Sequence, residues 1–173
     1  MSDLKSWCEV DIKNYYSTIF SPFYYGAKLY LNNEEVSVLT IPDGVTSIKQ
    51  GVFEGCSSIT EVIIPDSVTS IEKFAFFSCK SLANVTLGKN VSSVGERAFD
   101  YCSLLTSIYC KPTTPPAIYY SSSTGSFPFN ANLKIYVPQD SYSAYRQYSS
   151  ESSGQTVQRN WYKYKSYIEG YNF

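Results

Sequence analysis

Three cysteines, Cys56, Cys79 and Cys102, recur 23 residues apart, and thiols in register are the first candidates for chemistry in this chain. If one period is one coil of backbone, neighbouring thiols stand on Cα atoms about 4.8 Å apart. A disulfide tolerates that separation, and a thiol ladder can in principle hold a metal. Each cysteine, however, follows a phenylalanine by three residues (Phe53, Phe76, Phe99), the spacing of an inward packing pair. A buried free cysteine behaves as a small hydrophobe, so packing is the expected role. Cys8 and Cys110 lie outside the ladder, and a bridge between them would join distant parts of the chain. Asp43 and Asp66 follow prolines at equivalent positions, where an aspartate steadies a turn by accepting from nearby backbone amides. A catalytic carboxylate pair needs one cleft and two separated pKa values, and nothing here suggests that cleft. Glu34-Glu35 reads as a solvated loop. The chain has no histidine, which removes imidazole general acid–base chemistry, Ser-His-Asp and Cys-His nucleophiles, and nearly all catalytic zinc sites. No catalytic residue, metal or cofactor is expected, and the chain reads as a non-enzyme.

The bulk composition narrows the classes further. With 173 residues, 43% hydrophobic and 17% charged, the chain suits one folded domain or a capped repeat array. Its 14 basic and 15 acidic residues are scattered in sign, so no footprint for nucleic acid and no polybasic membrane patch is present. No apolar run approaches the ~20 residues that span a bilayer, and no transmembrane segment is expected. The 17 Tyr and 10 Phe are conspicuous; tyrosine joins an apolar body to a polar tip and suits half-buried surfaces. This Tyr-rich, Lys-poor balance leans towards a secreted protein. "MSDLKSWCEV" holds no apolar signal core, so the expectation is an intracellular protein or one whose leader lies outside this sequence.

The elements that must position these residues follow from the same period. "IPDGVTSIKQGVFEGC" starts at Ile41, "IPDSVTSIEKFAFFSC" at Ile64 and "LGKNVSSVGERAFDYC" at Leu87. Six apolar columns align: Val45/Val68/Val91, Ile48/Ile71/Val94, the phenylalanines, the cysteines, Ile59/Leu82/Leu105 and Val62/Val85/Ile108. A unit this short cannot bury its own apolar side and does so by stacking on its neighbours, as in a solenoid. "SITEVIIP" alternates as a strand; Pro-Asp-Gly and Pro-Asp-Ser suit a type I turn with Pro at its second position. Gly88-Lys89-Asn90 would turn by different chemistry. "VTSI" predicts a second short strand, and "KFAFFSC" and "ERAFDYC" predict one helical or 3₁₀ turn with Phe and Cys inward. The connection should be right-handed.

The pattern L-T-x-V-x-I-P-x-x-V-T-S-I-x-x-x-A-F-x-x-C-x-S resembles the BspA-like leucine-rich repeat family of bacterial surface proteins, strongly from Val36 to Lys111. Weaker similarity covers Lys111–Ile118, Leu133–Tyr145 and Trp161–Phe173, which look like that family's C-terminal cap. The resemblance implies an α/β fold: a right-handed leucine-rich-repeat solenoid with a parallel sheet, short helical turns, and N- and C-terminal caps. It also implies a bacterial protein, secreted or on the cell surface, that works in adhesion or in contact with proteins or glycans.

Around the repeats, residues 1–35 are expected to form an N-terminal cap and a lead-in hairpin turning at Asn32-Asn33, residues 36–111 the repeats, and residues 112–173 a long loop, the last strand and a helical cap. Within the last part, Leu133–Val137 is the expected final strand, Asp140 or Ser141 the N-cap of a helix through Tyr145 and Gln147, and Ser149–Thr156 a flexible insertion. Asn160 is expected to cap a last helix that presents Trp161, Tyr164 and Ile168 on one face. Alternation puts two columns outside the sheet: Val38, Glu61, Asn84, Ser107, Lys134, and Thr40, Ile63, Thr86, Tyr109, Tyr136. Of these, Glu61, Ile63, Asn84, Thr86, Ser107, Tyr109, Lys134 and Tyr136 are the candidate binding residues, ordinary solvent-facing strand positions being the alternative. Five strands of about five residues give a patch of about 300–400 Å², below the ~800 Å² per partner of a stable protein complex. The expected function is a monomeric, non-enzymatic binding module for a protein or glycan on another cell or matrix, extracellular or at the cell surface. A structural spacer or surface-assembly domain without a ligand of its own is the alternative.

Overall fold

The structure, a computed structural model, describes residues 3–10, 21–23, 25–119, 124–146 and 160–173. Two parallel sheets run through the repeats. The larger holds β3 (Val38–Thr40), β5 (Glu61–Ile63), β7 (Asn84–Leu87), β9 (Ser107–Cys110), β11 (Lys134–Pro138) and β12 (Ile168–Tyr171), side by side in that order. The smaller holds β4 (Ser47–Ile48), β6 (Ser70–Ile71), β8 (Ser93–Val94) and β10 (Ala117–Ile118). In-register pairing follows from the repeat: a slip of one residue would turn every aliphatic side chain outward. Leu39, Val62, Val85, Ile108, Ile135 and Ile168 thus form one buried row, and Ile48, Ile71, Val94 and Ile118 another.

At the corner between the sheets the phenylalanines stack. Phe53–Phe76, Phe76–Phe99 and Phe99–Phe127 lie 5.2, 5.1 and 5.7 Å apart with interplanar angles of 11°, 4° and 14°. Of the helical or 3₁₀ turn expected here, the structure has isolated 3₁₀-type bonds, such as Phe77 N–H to the Phe74 carbonyl at 3.1 Å and Cys79 N–H to Phe76 at 3.3 Å. Left-handed residues break it on both sides: Gly51, Phe74 and Arg97 (φ 68°, 61° and 53°), then Gly55, Ser78 and Tyr101 (φ 78°, 58° and 60°). A helix cannot propagate through that conformation. Only the first copy places glycine there.

The turns after the larger sheet also differ from expectation. Val45, Val68 and Val91 donate to the carbonyls of Pro42, Pro65 and Gly88 at 3.3, 3.2 and 3.2 Å, so proline opens the turn instead of holding its second position. The third copy closes the same turn as the others. Its glycine has a packing cause: a Cβ on Gly88 would stand 2.3 Å from the Pro65 carbonyl oxygen.

The period lapses after Cys110, but the coil does not. The segment expected as a long loop carries β10, which pairs with β8, and Phe127, which continues the ring stack. Ser126 holds this fourth coil in place, its hydroxyl donating to the Val94 carbonyl at 2.8 Å and its own carbonyl accepting from Phe99 N–H at 2.9 Å.

Before the repeats, β1 (Tyr30–Leu31) and β2 (Glu34–Glu35) form the expected hairpin. Asn32 and Asn33 both take φ > 0 (51° and 68°), as a two-residue type I′ turn requires. Glu34-Glu35 is therefore a strand, not a loop. The first helix α1 (Leu4–Cys8) places Trp7, whose Nε1–H donates to Val52 at 3.1 Å, and Phe23 lies 6.5 Å from Phe53. Residues 11–20 of the expected N-terminal cap lie outside the described residues.

The C-terminal end brings a correction. Trp161 and Tyr164 belong to a 3₁₀ helix over Asn160–Tyr164, and Ile168 begins strand β12, parallel to β11. Leu133–Val137 is thus not the last strand. The i, i+3, i+7 spacing that suggested a helix coincides with an Ile-x-Gly-Tyr alternation, and burial of Ile168 beside Ile135 decides for the strand. A 3₁₀ turn over Gln139–Ser141 precedes α2 (Tyr142–Arg146) without a side-chain cap, so neither Asp140 nor Ser141 serves as the expected N-cap. Gln147 and Ser149–Thr156 lie outside the described residues.

Candidate functional site

The larger sheet presents its second face away from the core, and strand register brings all eight candidate residues onto it. Glu61, Asn84, Ser107 and Lys134 are successive partners in one row, and Ile63, Thr86, Tyr109 and Tyr136 in the next. The row of Tyr136 continues to Glu169 on β12. The strands themselves, of three to five residues in a six-stranded sheet, give a face of about 360 Å² at ~4.8 Å per strand and ~3.3 Å per residue.

Tyrosines dominate one end. The Tyr109 and Tyr136 rings are stacked at 4.9 Å and 16°, and Tyr171 stands edge-on to both, at 5.9 and 5.6 Å. Phe173 packs on Tyr171 at 5.1 Å. Tyr171 and Phe173 are 44% and 53% exposed, against the near-complete burial of aromatics in the core. The Tyr109–Tyr136 separation matches the strand spacing, so these rings stand upright on the sheet with faces turned along the row. Tyr136 occupies one face of Tyr109; the other looks over β7, where the partner of Tyr109 is the short Thr86. Charge is sparse. Lys134 and Glu169 neutralise each other in an ion pair that raises the lysine pKa.

Sequence reasoning missed Tyr171 and Phe173, because it read the end of the chain as a cap with Ile168 on a helix face, and took Leu133–Val137 as the last strand.

The other candidates carry no such arrangement. All five cysteines are buried and free. Burial pushes the Cys8 and Cys110 thiols up to about 12 and raises those of Cys56 and Cys79, the reverse of what a nucleophile or metal ligand needs. The ladder has another use: the Cys79 and Cys102 thiols donate to the carbonyls of Phe53 and Phe76 in the preceding coil, at 3.1 and 3.2 Å. They are hydrogen-bond donors as well as small hydrophobes. In the last rung Tyr164 takes over, its hydroxyl donating to the Phe127 carbonyl at 2.9 Å. Asp66 accepts from Lys89 N–H of the next coil at 2.8 Å, which lowers its pKa; it ties turns together. Among the described residues no cluster of three or more His, Cys, Asp and Glu is placed to hold a metal ion, and no helix is long and apolar enough to cross a membrane.

A second concavity lies on the smaller sheet. Gly95 falls in the row of Glu72 and Tyr119 and lines, with Gln50, Ser70 and Glu96, a groove of about 360 Å³; a Cβ on Gly95 would stand 2.5 Å from the Lys73 backbone nitrogen, so close packing on the preceding coil calls for glycine there. Glu72 is engaged there with Lys49 at 2.9 Å.

The BspA type leucine rich repeat region (6 copies) matches residues 24–149. Among solved structures, a leucine rich cell surface protein of Faecalibacterium prausnitzii A2-165 is similar at 26% identity and a TM-score of 0.45, over 62% of this chain and 37% of that one. This chain therefore spans little more than a third of that protein's solved length. No curated protein matches.

Proposed function

This chain belongs to the BspA-type leucine rich repeat family, and from that premise we propose that it is a non-enzymatic recognition module. It works outside or on the surface of a bacterial cell, with the outward face of the larger sheet as its binding surface for a protein or glycan. The observation that carries this reading is the tyrosine group on that face: Tyr109, Tyr136 and Tyr171 are packed on one another yet face outward from a sheet whose other side is core. Aromatic side chains fixed this way lose little conformational entropy on binding. The lack of histidine and the engagement of Asp66 with Lys89 of the next turn support a role without catalysis. In this reading the repeats form the working part; α1, Phe23 and the β1–β2 hairpin cover one end, and α2 with the 3₁₀ helix over Asn160–Tyr164 covers the other.

The test is binding of the purified chain to immobilised matrix proteins and glycans. Loss of the signal in Tyr109→Ala/Tyr136→Ala, with an unchanged melting curve, supports the face. Binding that survives in that variant places the site elsewhere on the molecule.

A further inference from the structure

The tyrosine stack is asymmetric, and the asymmetry defines a notch. Tyr109 and Tyr136 stand face to face at 4.9 Å. One more ring at the same step, on the free side of Tyr109, would stand above β7. There the chain supplies short polar side chains: Thr86 in the tyrosine row and Asn84 two residues before it. No hydrogen bond among the described residues engages the Asn84 amide or the Thr86 hydroxyl. Ile63, the partner of Thr86 on β5, closes the far side, with Glu61 beside Asn84. The notch therefore has one aromatic wall, one aliphatic wall and a floor of donors and acceptors.

We propose that this notch holds one pyranose ring of a neutral oligosaccharide, with the sugar's C–H face on Tyr109 and its hydroxyl edge on Asn84 and Thr86. This rests on the reading of the sheet face as the recognition surface and names the ligand class for it. Three features select this occupant. An apolar face bounded by a polar edge is the surface pattern of a pyranose, and the notch reproduces it in complement. The lysine of the face, Lys134, is already paired with Glu169, and Glu61 stands beside the notch, so an anionic ligand gains no counter-ion and meets a like charge. The face's area of about 360 Å² falls short of the ~800 Å² a protein partner needs, whereas an oligosaccharide needs only the notch and the neighbouring rows. Short contacts of this kind bind weakly, and many copies on one surface raise the avidity.

Isothermal titration with neutral hexasaccharides (maltohexaose, cellohexaose, laminarihexaose, mannohexaose and chitohexaose) tests it. Saturable binding of at least one is expected, weakened at least about tenfold by Tyr109→Ala and preserved by Tyr109→Phe. Thr86→Phe, on the exposed side of the sheet, fills the notch with the next ring of the stack and is expected to abolish binding while the fold is retained. Absence of binding to all five at about 10 mM, or equal binding to Thr86→Phe, overturns the inference. If a matrix protein binds in a Tyr109-dependent manner and no sugar does, the recognition face stands and the glycan assignment falls.

Discussion

In a stack of coils each ring should feel its neighbours and no others. Phe76 is fully buried between Phe53 at 5.2 Å and Phe99 at 5.1 Å, both nearly parallel to it. Replacing it with leucine keeps most of the volume but removes both ring contacts. Burial loss and imperfect fit cost about 1–3 kcal/mol, and each aromatic pair contributes about 0.5–1.5 kcal/mol beyond its area. The pair terms can be isolated in a double-mutant cycle. Phe53→Leu and Phe76→Leu remove one shared contact, so their combined cost should fall short of the sum by about 0.5–1.5 kcal/mol. Phe53→Leu and Phe127→Leu, separated in the stack by Phe76 and Phe99, should add to within about 0.5 kcal/mol. Urea unfolding followed by circular dichroism gives the four free energies of each cycle. Equal coupling in the two cycles, or none in the first, would refute nearest-neighbour stacking as the source of stability.

Three further outcomes follow from single positions. Glu54 is part-buried, and desolvation pushes its carboxyl up to about 7. The native state thus binds a proton more tightly than the unfolded chain, so stability should fall as pH rises from about 4.5 through 7 and level off above. Glu54→Gln should flatten that slope and gain about 1–2 kcal/mol at pH 8, discounted for solvent screening; an unchanged pH profile by urea unfolding would contradict it. Ser78 holds φ 58°, where the first copy has Gly55. Ser78→Gly relieves about 1 kcal/mol of left-handed strain against the added flexibility of the unfolded chain, so the melting temperature should rise, and a drop would exclude strain at that corner. The five thiols, all buried, should resist a disulfide exchange reagent at pH 8 in the native protein and all react after unfolding; a fast-reacting native thiol would show one to be accessible.

The repeat made the larger sheet, its inward rows and its outward columns legible, because each residue type recurs in phase with the strand. Recognition failed where the phase changed without the structure changing. Phe127 follows Phe99 by 28 residues and Ile118 follows Val94 by 24, instead of 23, so the fourth coil has no visible period although its ring and its aliphatic residue keep their places. The cysteine rung disappears there as well. Asn130, three residues after Phe127, bonds the Leu105 carbonyl at 2.7 Å. Half the tyrosine site was hidden for a different reason. The pairing of Ile168 with Ile135 is non-local, and a four-residue strand containing glycine has too little β propensity to announce itself. The left-handed corners showed in the sequence only where glycine marked them, at Gly51 and Gly55.

The tyrosine-bearing face is the proposed place where this protein meets its ligand. Mapping amide and side-chain chemical shifts during titration with a binding hexasaccharide or matrix-protein fragment tests that directly. Changes confined to the rows Glu61–Lys134 and Ile63–Tyr136, with Tyr171 and Phe173, are predicted. Changes centred on the Gly95 groove of the smaller sheet, or on Tyr101 and Leu104 at the corner, would contradict it.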